Sequence, residues 1–307
     1  MNGEIHPGIF PDDGAAGMRS IISVSPADDL QKVFDTAAEH SVILLQEGEY
    51  RQKTVIRTRG LTLIGAGPEK TRIVYADYAR KRDAFGAEYN TFRTYTLAVC
   101  ADGVSMKNLT IENDALSPQV KGQEVALSVV ADGFRMDGCT LRSTQDTLFL
   151  GPLPRDLIGR YEGFLHDELR RYGKMRQTFR DCRIAGSVDF IFGCGEAVFE
   201  RCVLESVNDV RGQSFVAAPA HEEEQKEGFL FRQCRFTAEP GVPEGSVYLA
   251  RPWRDYGRAA FEDCSYAGHI CREGFDKWND TNRGRTARFF ETPRVSGRVS
   301  WINRERE

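Results

Sequence analysis

The 307-residue chain is 41% hydrophobic and 28% charged, a balance that excludes a disordered polar chain and fits one large globular domain or two ordinary ones. Its 41 basic and 45 acidic residues leave a net charge of −4 with no long basic run, which argues against a nucleic-acid partner. No apolar stretch approaches a membrane span, and the eight Cys form no CxxC pair, so free, buried thiols are expected rather than a metal site.

The first residues, MNGEIHPGIFPDDG, lack a basic region followed by an apolar one, so a cytoplasmic protein is expected, or a secreted one if a leader preceded Met1. Ser25-Pro26-Ala27-Asp28-Asp29-Leu30 supplies a helix cap, after which Leu30, Val33, Phe34 and Ala37 share one helical face. This predicts a short helical cap within about residues 25–40, covering an otherwise open sheet edge.

From there the chain repeats. Val99–Asn113, VCADGVSMKNLTIEN, aligns with Val129–Ser143, VVADGFRMDGCTLRS, at an offset of 30, with Val, Ala-Asp-Gly, Met and Thr in place and Leu109 above Cys139. The unit apolar-x-x-(Cys/Leu)-x-apolar returns at Phe179-x-x-Cys182-x-Ile184, Phe199-x-x-Cys202-x-Leu204, Phe231-x-x-Cys234-x-Phe236 and Phe261-x-x-Cys264-x-Tyr266. An earlier version without Cys is Leu61-Thr62-Leu63-Ile64-Gly65. Each unit alternates apolar and polar residues, the period of a strand with one buried face. A short strand cannot bury that face alone, whereas stacked coils of a parallel β-helix can, with Cys forming a buried column. An antiparallel sandwich with Cys placed by chance is the alternative. The polar stretch 152–174 carries two Pro between two repeat copies and reads as an excursion loop.

Two carboxylates follow from the repeat. Asp146 lies seven residues after Cys139, and Asp189 seven after Cys182. In adjacent coils they occupy equivalent places on strands about 4.8 Å apart. Two like charges that close favour one anion beside one acid, the pairing that ester or glycosidic chemistry uses. Each Asp also precedes bulky apolar residues (Thr147-Leu148-Phe149 and Phe190-Ile191-Phe192), implying partial desolvation.

At these residues the sequence resembles the pectin methylesterases, carbohydrate esterases that demethylate pectin. Gln145-Asp146-Thr147-Leu148 and Asp189-Phe190-Ile191-Phe192-Gly193 are similar to that family's two signature motifs. Gln123-Glu-Val-Ala-Leu127 resembles GQAVAL, Leu249-Ala-Arg251-Pro252-Trp253 resembles LGRPW, and Arg298-Val-Ser-Trp301 resembles RVxW. Gly48-Glu-Tyr50 resembles GxYxE with Gln52 in place of the acid, and Ala250 and Glu124 are further departures. Glu124 is expected to project into solvent or to alter the charge of a subsite. The resemblance covers about residues 21–301 and implies an all-β fold, a right-handed parallel β-helix forming one domain over 1–307.

It further implies that Asp189 is the nucleophile toward the C6 methyl ester of galacturonate and Asp146 the general acid and then base. Gln123 and Gln145 would stabilise the oxyanion, Arg251 would orient Asp189, and Trp253, Phe190 and Arg251 would contact substrate. Phe92, Tyr95, Arg142 and Arg258 are further candidates for the sugar groove. No cofactor or metal is implied. The expected partner is pectin or a methylated oligogalacturonide, with no nucleic acid or membrane, and the protein is expected to be a monomer. Two other readings compete: a β-helical lyase or glycoside hydrolase, and a noncatalytic carbohydrate-binding β-helix.

Overall fold

The computed structural model describes residues 20–115, 122–160, 167–209 and 212–303. Within them the chain winds as a right-handed parallel β-helix. Three parallel sheets of ten, eight and seven strands run the length of the molecule, and seven complete coils each contribute one strand to each sheet. One coil comprises Phe134–Asp137, Thr140–Arg142 and Leu148–Leu150; the next comprises Arg176–Arg180, Arg183–Gly186 and Val188–Gly193.

The repeat unit is the corner between the first two sheets. The residue before each Cys or its equivalent is left-handed: Asn108, Gly138, Asp181, Arg201, Gln233 and Asp263 have φ between 51° and 59°. That conformation turns the chain sharply within one residue. The corner peptides continue the ladder, for example Asp181 N–H to Glu200 O (3.0 Å) and Arg201 N–H to Arg232 O (3.0 Å). Cys139, Cys182, Cys202 and Cys234 are buried just past the corner, with Cys264 half-buried, and all eight Cys are free thiols.

Three residues before each Cys, the repeat's Phe points inward. Phe179, Phe199, Phe231 and Phe261 pair in register along the ten-stranded sheet. Successive centroids lie 4.9, 4.7 and 4.8 Å apart, with rings within 13° of parallel. Each contributes roughly 1.5–3 kcal/mol of apolar burial. The ladder, with Ile184, Leu204 and Phe236 from the second sheet, forms a single core along the axis.

Both ends are closed. The helix Leu30–Thr36 inserts Leu30 and Phe34, both 0% exposed, into the core. Asp29 caps it through the Lys32 N–H (3.1 Å). Gln52 receives the Leu30 N–H (2.9 Å) and donates to Asp28 O (2.8 Å), so the departure from GxYxE serves as a helix anchor. At the other end the buried Arg298 guanidinium meets buried Glu291 (3.0 Å) and donates to Cys271 O (2.9 Å). Trp301 packs on Phe289 (5.7 Å). The RVxW resemblance therefore falls on an end cap. No described helix is long and apolar enough to cross a membrane.

The stretch 152–174 is more than a loop. Its described part holds the helix Arg155–Arg160 and a 3-10 turn Asp167–Leu169. Leu153, Leu157, Ile158 and Leu169 pack on the outer face of the seven-stranded sheet against Val55, Ala98, Val130 and Phe149. Asp156 is tied to Arg254 (2.7 Å), and Arg171 forks onto Asp102 (2.9 and 3.0 Å).

Candidate active site

The outer face of the seven-stranded sheet carries the site. Leu148 pairs with Ile191, and Gln145 bridges Val188, so the offset between the two coils is 43 residues. Asp146 therefore lies beside Asp189 in register, and its N–H donates to Val188 O (3.0 Å). Both are left-handed, with φ of 63° and 51°. Single non-glycine residues in that region cost energy and cluster where a side chain must be aimed. Here each Asp steps out of the pleat at the start of its apolar strand. Asp146 and Asp189 remain 7% and 8% exposed, at the floor of a cavity of about 400 Å³.

Arg251 follows the strand Val247–Ala250, two strands along the same sheet from Asp189. Its Nε donates to Asp189 Oδ1 (2.8 Å) and its Nη2 to Oδ2 (2.6 Å), a bidentate charge-assisted pair. Both side chains are nearly buried, so solvent screening between them is weak. Gln123 and Gln145 line the same cavity, and the Gln123 main-chain carbonyl accepts the Ala79 N–H (2.9 Å). Trp253 forms a wall, edge-on to Phe192 at 5.8 Å.

Phe190 is a correction. It is 0% exposed and belongs to the core, not to the cavity. The register shifts between Val188 and Ile191, so the left-handed step at Asp189 interrupts the alternation of this strand. Phe190 and Ile191 both turn inward, and Phe192 faces the cavity instead. Of the further groove candidates, only Phe92 lines the cavity. Tyr95 is buried under Lys53, whose Nζ lies 5.0 Å from its ring centroid. Arg142 pairs with Glu239 (2.7 Å) beside the eight-stranded sheet, and Arg258 lies over Phe290 at 5.0 Å. Glu124, expected in solvent or at a subsite, is 1% exposed and absent from the cavity wall.

Sequence reading missed Thr91, Leu157, Arg160, Arg254 and Trp278, all of which line the cavity. Trp278 did leave a signal: one of only three Trp, it stands in the polar run Lys277-Trp278-Asn279-Asp280-Thr281-Asn282, where a bulky aromatic has no core to enter. A larger cavity of about 530 Å³, beside Leu153, Tyr172, Lys174 and Gln225, contains neither Asp, and volume alone does not identify a site. Among the described residues no group of three His, Cys, Asp or Glu is arranged to hold a metal ion.

Comparison with known proteins finds relatives over most of the chain. The family model described as Pectinesterase matches residues 11–152 and 162–304. The chain is 30% identical over 282 residues to Pectinesterase 31 of Arabidopsis thaliana, covering 90% of this chain and 79% of that protein. It is 32% identical over 260 residues to the Pectinesterase of Petunia integrifolia, covering 82% of this chain and 62% of that one. A crystal structure of a pectin methylesterase in complex with a hexasaccharide superposes with a TM-score of 0.74 at 26% identity, over 90% of this chain and 89% of that one.

Proposed function

The chain belongs to the pectinesterase family of carboxylic ester hydrolases, and on that premise we propose that it hydrolyses C6 methyl esters of galacturonate, in pectin or methylated oligogalacturonides, through Asp189 and Asp146. The observation that carries the proposal is the Arg251 fork on Asp189 at the register position of Asp146.

The steps follow from the roles each group can fill. The Asp189 carboxylate attacks the ester carbonyl carbon, and the carbonyl π electrons move to oxygen. Amide N–H groups of Gln123 and Gln145 donate to that oxyanion, neutral donors that need no proton exchange. The intermediate collapses, and protonated Asp146 gives its proton to the departing methoxy oxygen, releasing methanol. The acyl-enzyme then holds an anhydride at Asp189. Asp146, now a carboxylate, takes a proton from water as that water attacks. The galacturonate carboxyl is released, and both Asp return to their starting states.

Arg251 supports this cycle by keeping Asp189 anionic and aimed. Trp253 offers an apolar face to a sugar ring. A hexasaccharide bound to a related pectin methylesterase supports an extended sugar ligand.

The decisive experiment measures methanol release from methylated pectin together with solution viscosity. Methanol release at constant viscosity is expected, and it should vanish in Asp189→Ala while the fold persists. Falling viscosity or unsaturated ends would place the chain among chain-cleaving enzymes instead, and unchanged turnover in Asp189→Ala would overturn the mechanism.

A further inference from the structure

Arg251 is held by more than Asp189. Its guanidinium carbon lies 3.7 Å from the ring centroid of Phe215 and 4.1 Å from that of Trp278. Its in-plane Nε and Nη2 meanwhile bond the carboxylate. Both aromatic contacts and the hydrogen-bonding edge are thus engaged together.

The two rings come from different parts of the fold. Phe215 sits on the strand Ser214–Pro219, between the strands of Asp189 and Arg251, and is in register with Val188 and Tyr248. It stacks on Tyr248 at 5.3 Å with planes 13° apart. At 5% exposure it has almost no surface to offer a sugar. Trp278 arrives on a turn in which Trp278 and Asn279 are both left-handed, with φ of 70° and 58°. A bulky aromatic takes that conformation only when its surroundings impose it. Asp276 imposes it: its Oδ1 accepts the N–H groups of Trp278 (2.6 Å) and Asn279 (3.2 Å). The Asp276 N–H in turn donates to Ala250 O (3.1 Å), the residue before Arg251. On the far side Arg283 donates to Trp253 O (3.0 Å). The turn is therefore tied to both flanks of Arg251-Pro252.

We propose that Phe215 and Trp278 are positioning residues that sandwich the Arg251 guanidinium, and that Asp276 sets this clamp by holding the Trp278 turn. A guanidinium hydrates weakly on its faces and stacks well on aromatic rings. With both faces covered it loses rotation about its long side chain, and its edge stays aimed at Asp189. The clamp explains why the family's Arg-Pro-Trp segment is here braced by a turn about 25 residues further along. The catalytic consequence rests on the reading of Asp189 as nucleophile.

Phe215→Leu separates the clamp from substrate contact, since Phe215 is buried. On methylated pectin, kcat should fall roughly tenfold with KM within about twofold, for a variant whose thermal unfolding shows it folded. Asp276→Ala should fall similarly, and Asp276→Asn, which keeps an acceptor oxygen, should recover most of the loss. In an Arg251→Lys background Phe215→Leu should add little, because the planar group it braces is gone. A folded Phe215→Leu variant with wild-type kcat, a change confined to KM, or an equal further loss in the Arg251→Lys background would each overturn the proposal.

A second readout needs no activity. The Arg251 Nε–H should exchange slowly with solvent in the wild type and at least tenfold faster in Phe215→Leu. If the wild type releases no methanol, the esterase reading fails, and this exchange rate still decides the clamp. Equal exchange rates in the two proteins would refute it.

Discussion

Replacing Arg251 by Lys tests the central pair of the site with charge conserved. Arg251 reaches Asp189 through two nitrogens at 2.8 and 2.6 Å, each on a separate carboxylate oxygen. A lysine ammonium is a point charge on a flexible stem and cannot reproduce that fork. At least one of the two bonds is lost, each charge-assisted bond being worth about 1.5–3 kcal/mol. If that difference is felt in the transition state, the rate falls roughly 10- to 150-fold, at about 1.4 kcal/mol per decade. The near burial of both side chains argues for the upper half of that range, because water cannot easily substitute for the missing donor. The assay is steady-state methanol release with KM and kcat resolved, alongside thermal unfolding as a fold control. A loss in kcat with KM changed less than about threefold is expected. Wild-type kcat in a folded Arg251→Lys protein would refute the claim that the fork orients the nucleophile, and a loss carried by KM alone would reassign Arg251 to substrate binding.

Asp146→Asn removes the proton donor and base while keeping the side-chain shape; methanol release should fall by at least about 100-fold, and a variant within tenfold of wild type would exclude Asp146 from proton transfer. Phe190→Ala should cost about 3–5 kcal/mol of stability in urea unfolding because its ring is enclosed by the core, and a loss under about 1 kcal/mol would show that it is not. Phe199→Ala removes a ring stacked at 4.9 and 4.7 Å on its neighbours and should cost a similar amount, with a smaller loss showing that the coils collapse around the gap. Burial pushes His221 down to about 4; its Nδ1 accepts the Arg258 N–H (3.1 Å) and its Nε2 donates to Gly195 O (2.9 Å), which fixes a neutral ring. Below pH 6.5 the unfolded chain takes up a proton that the folded chain refuses, so this stability is complete above pH 6.5 and is lost as pH falls towards 4. The total loss is about 3 kcal/mol, and His221→Gln should show a shallower decline across that window in urea titrations.

The coil register was legible because one residue type marks the same corner each time. Counting from Cys139 and Cys182 put Asp146 opposite Asp189, and the ladder has that offset. The apolar position three residues before each Cys was also legible, since alternation holds in the four strands that carry the Phe rings. Phe190 was misread because its substrate contact rested on the resemblance alone; the backbone step at Asp189 turns both Phe190 and Ile191 into the core and leaves Phe192 at the cavity. Glu124 is hidden for a tertiary reason, as nothing in GQEVAL tells that its side chain is enclosed. Phe215, Trp278 and Asp276 act together only because the helix brings residues 215, 251 and 278 side by side, and no repeat links those three positions. The helix Arg155–Arg160 was obscured by the Pro and polar residues around it, with only Leu157 and Ile158 to show an apolar face.

The left-handed corners carry an evolutionary consequence. The corner Cys from Cys139 to Cys264 are 43, 20, 32 and 30 residues apart, yet the Phe rings stay stacked and the strands stay in step. Each corner restarts the count, so a lengthened connection in one coil leaves the alignment of the next untouched. Insertions are thereby decoupled from folding, and the excursion that walls the cleft is free to drift in length and sequence. Substrate preference in such a scaffold can diversify by changing connections alone, while the frame that sets two carboxylates side by side is inherited intact.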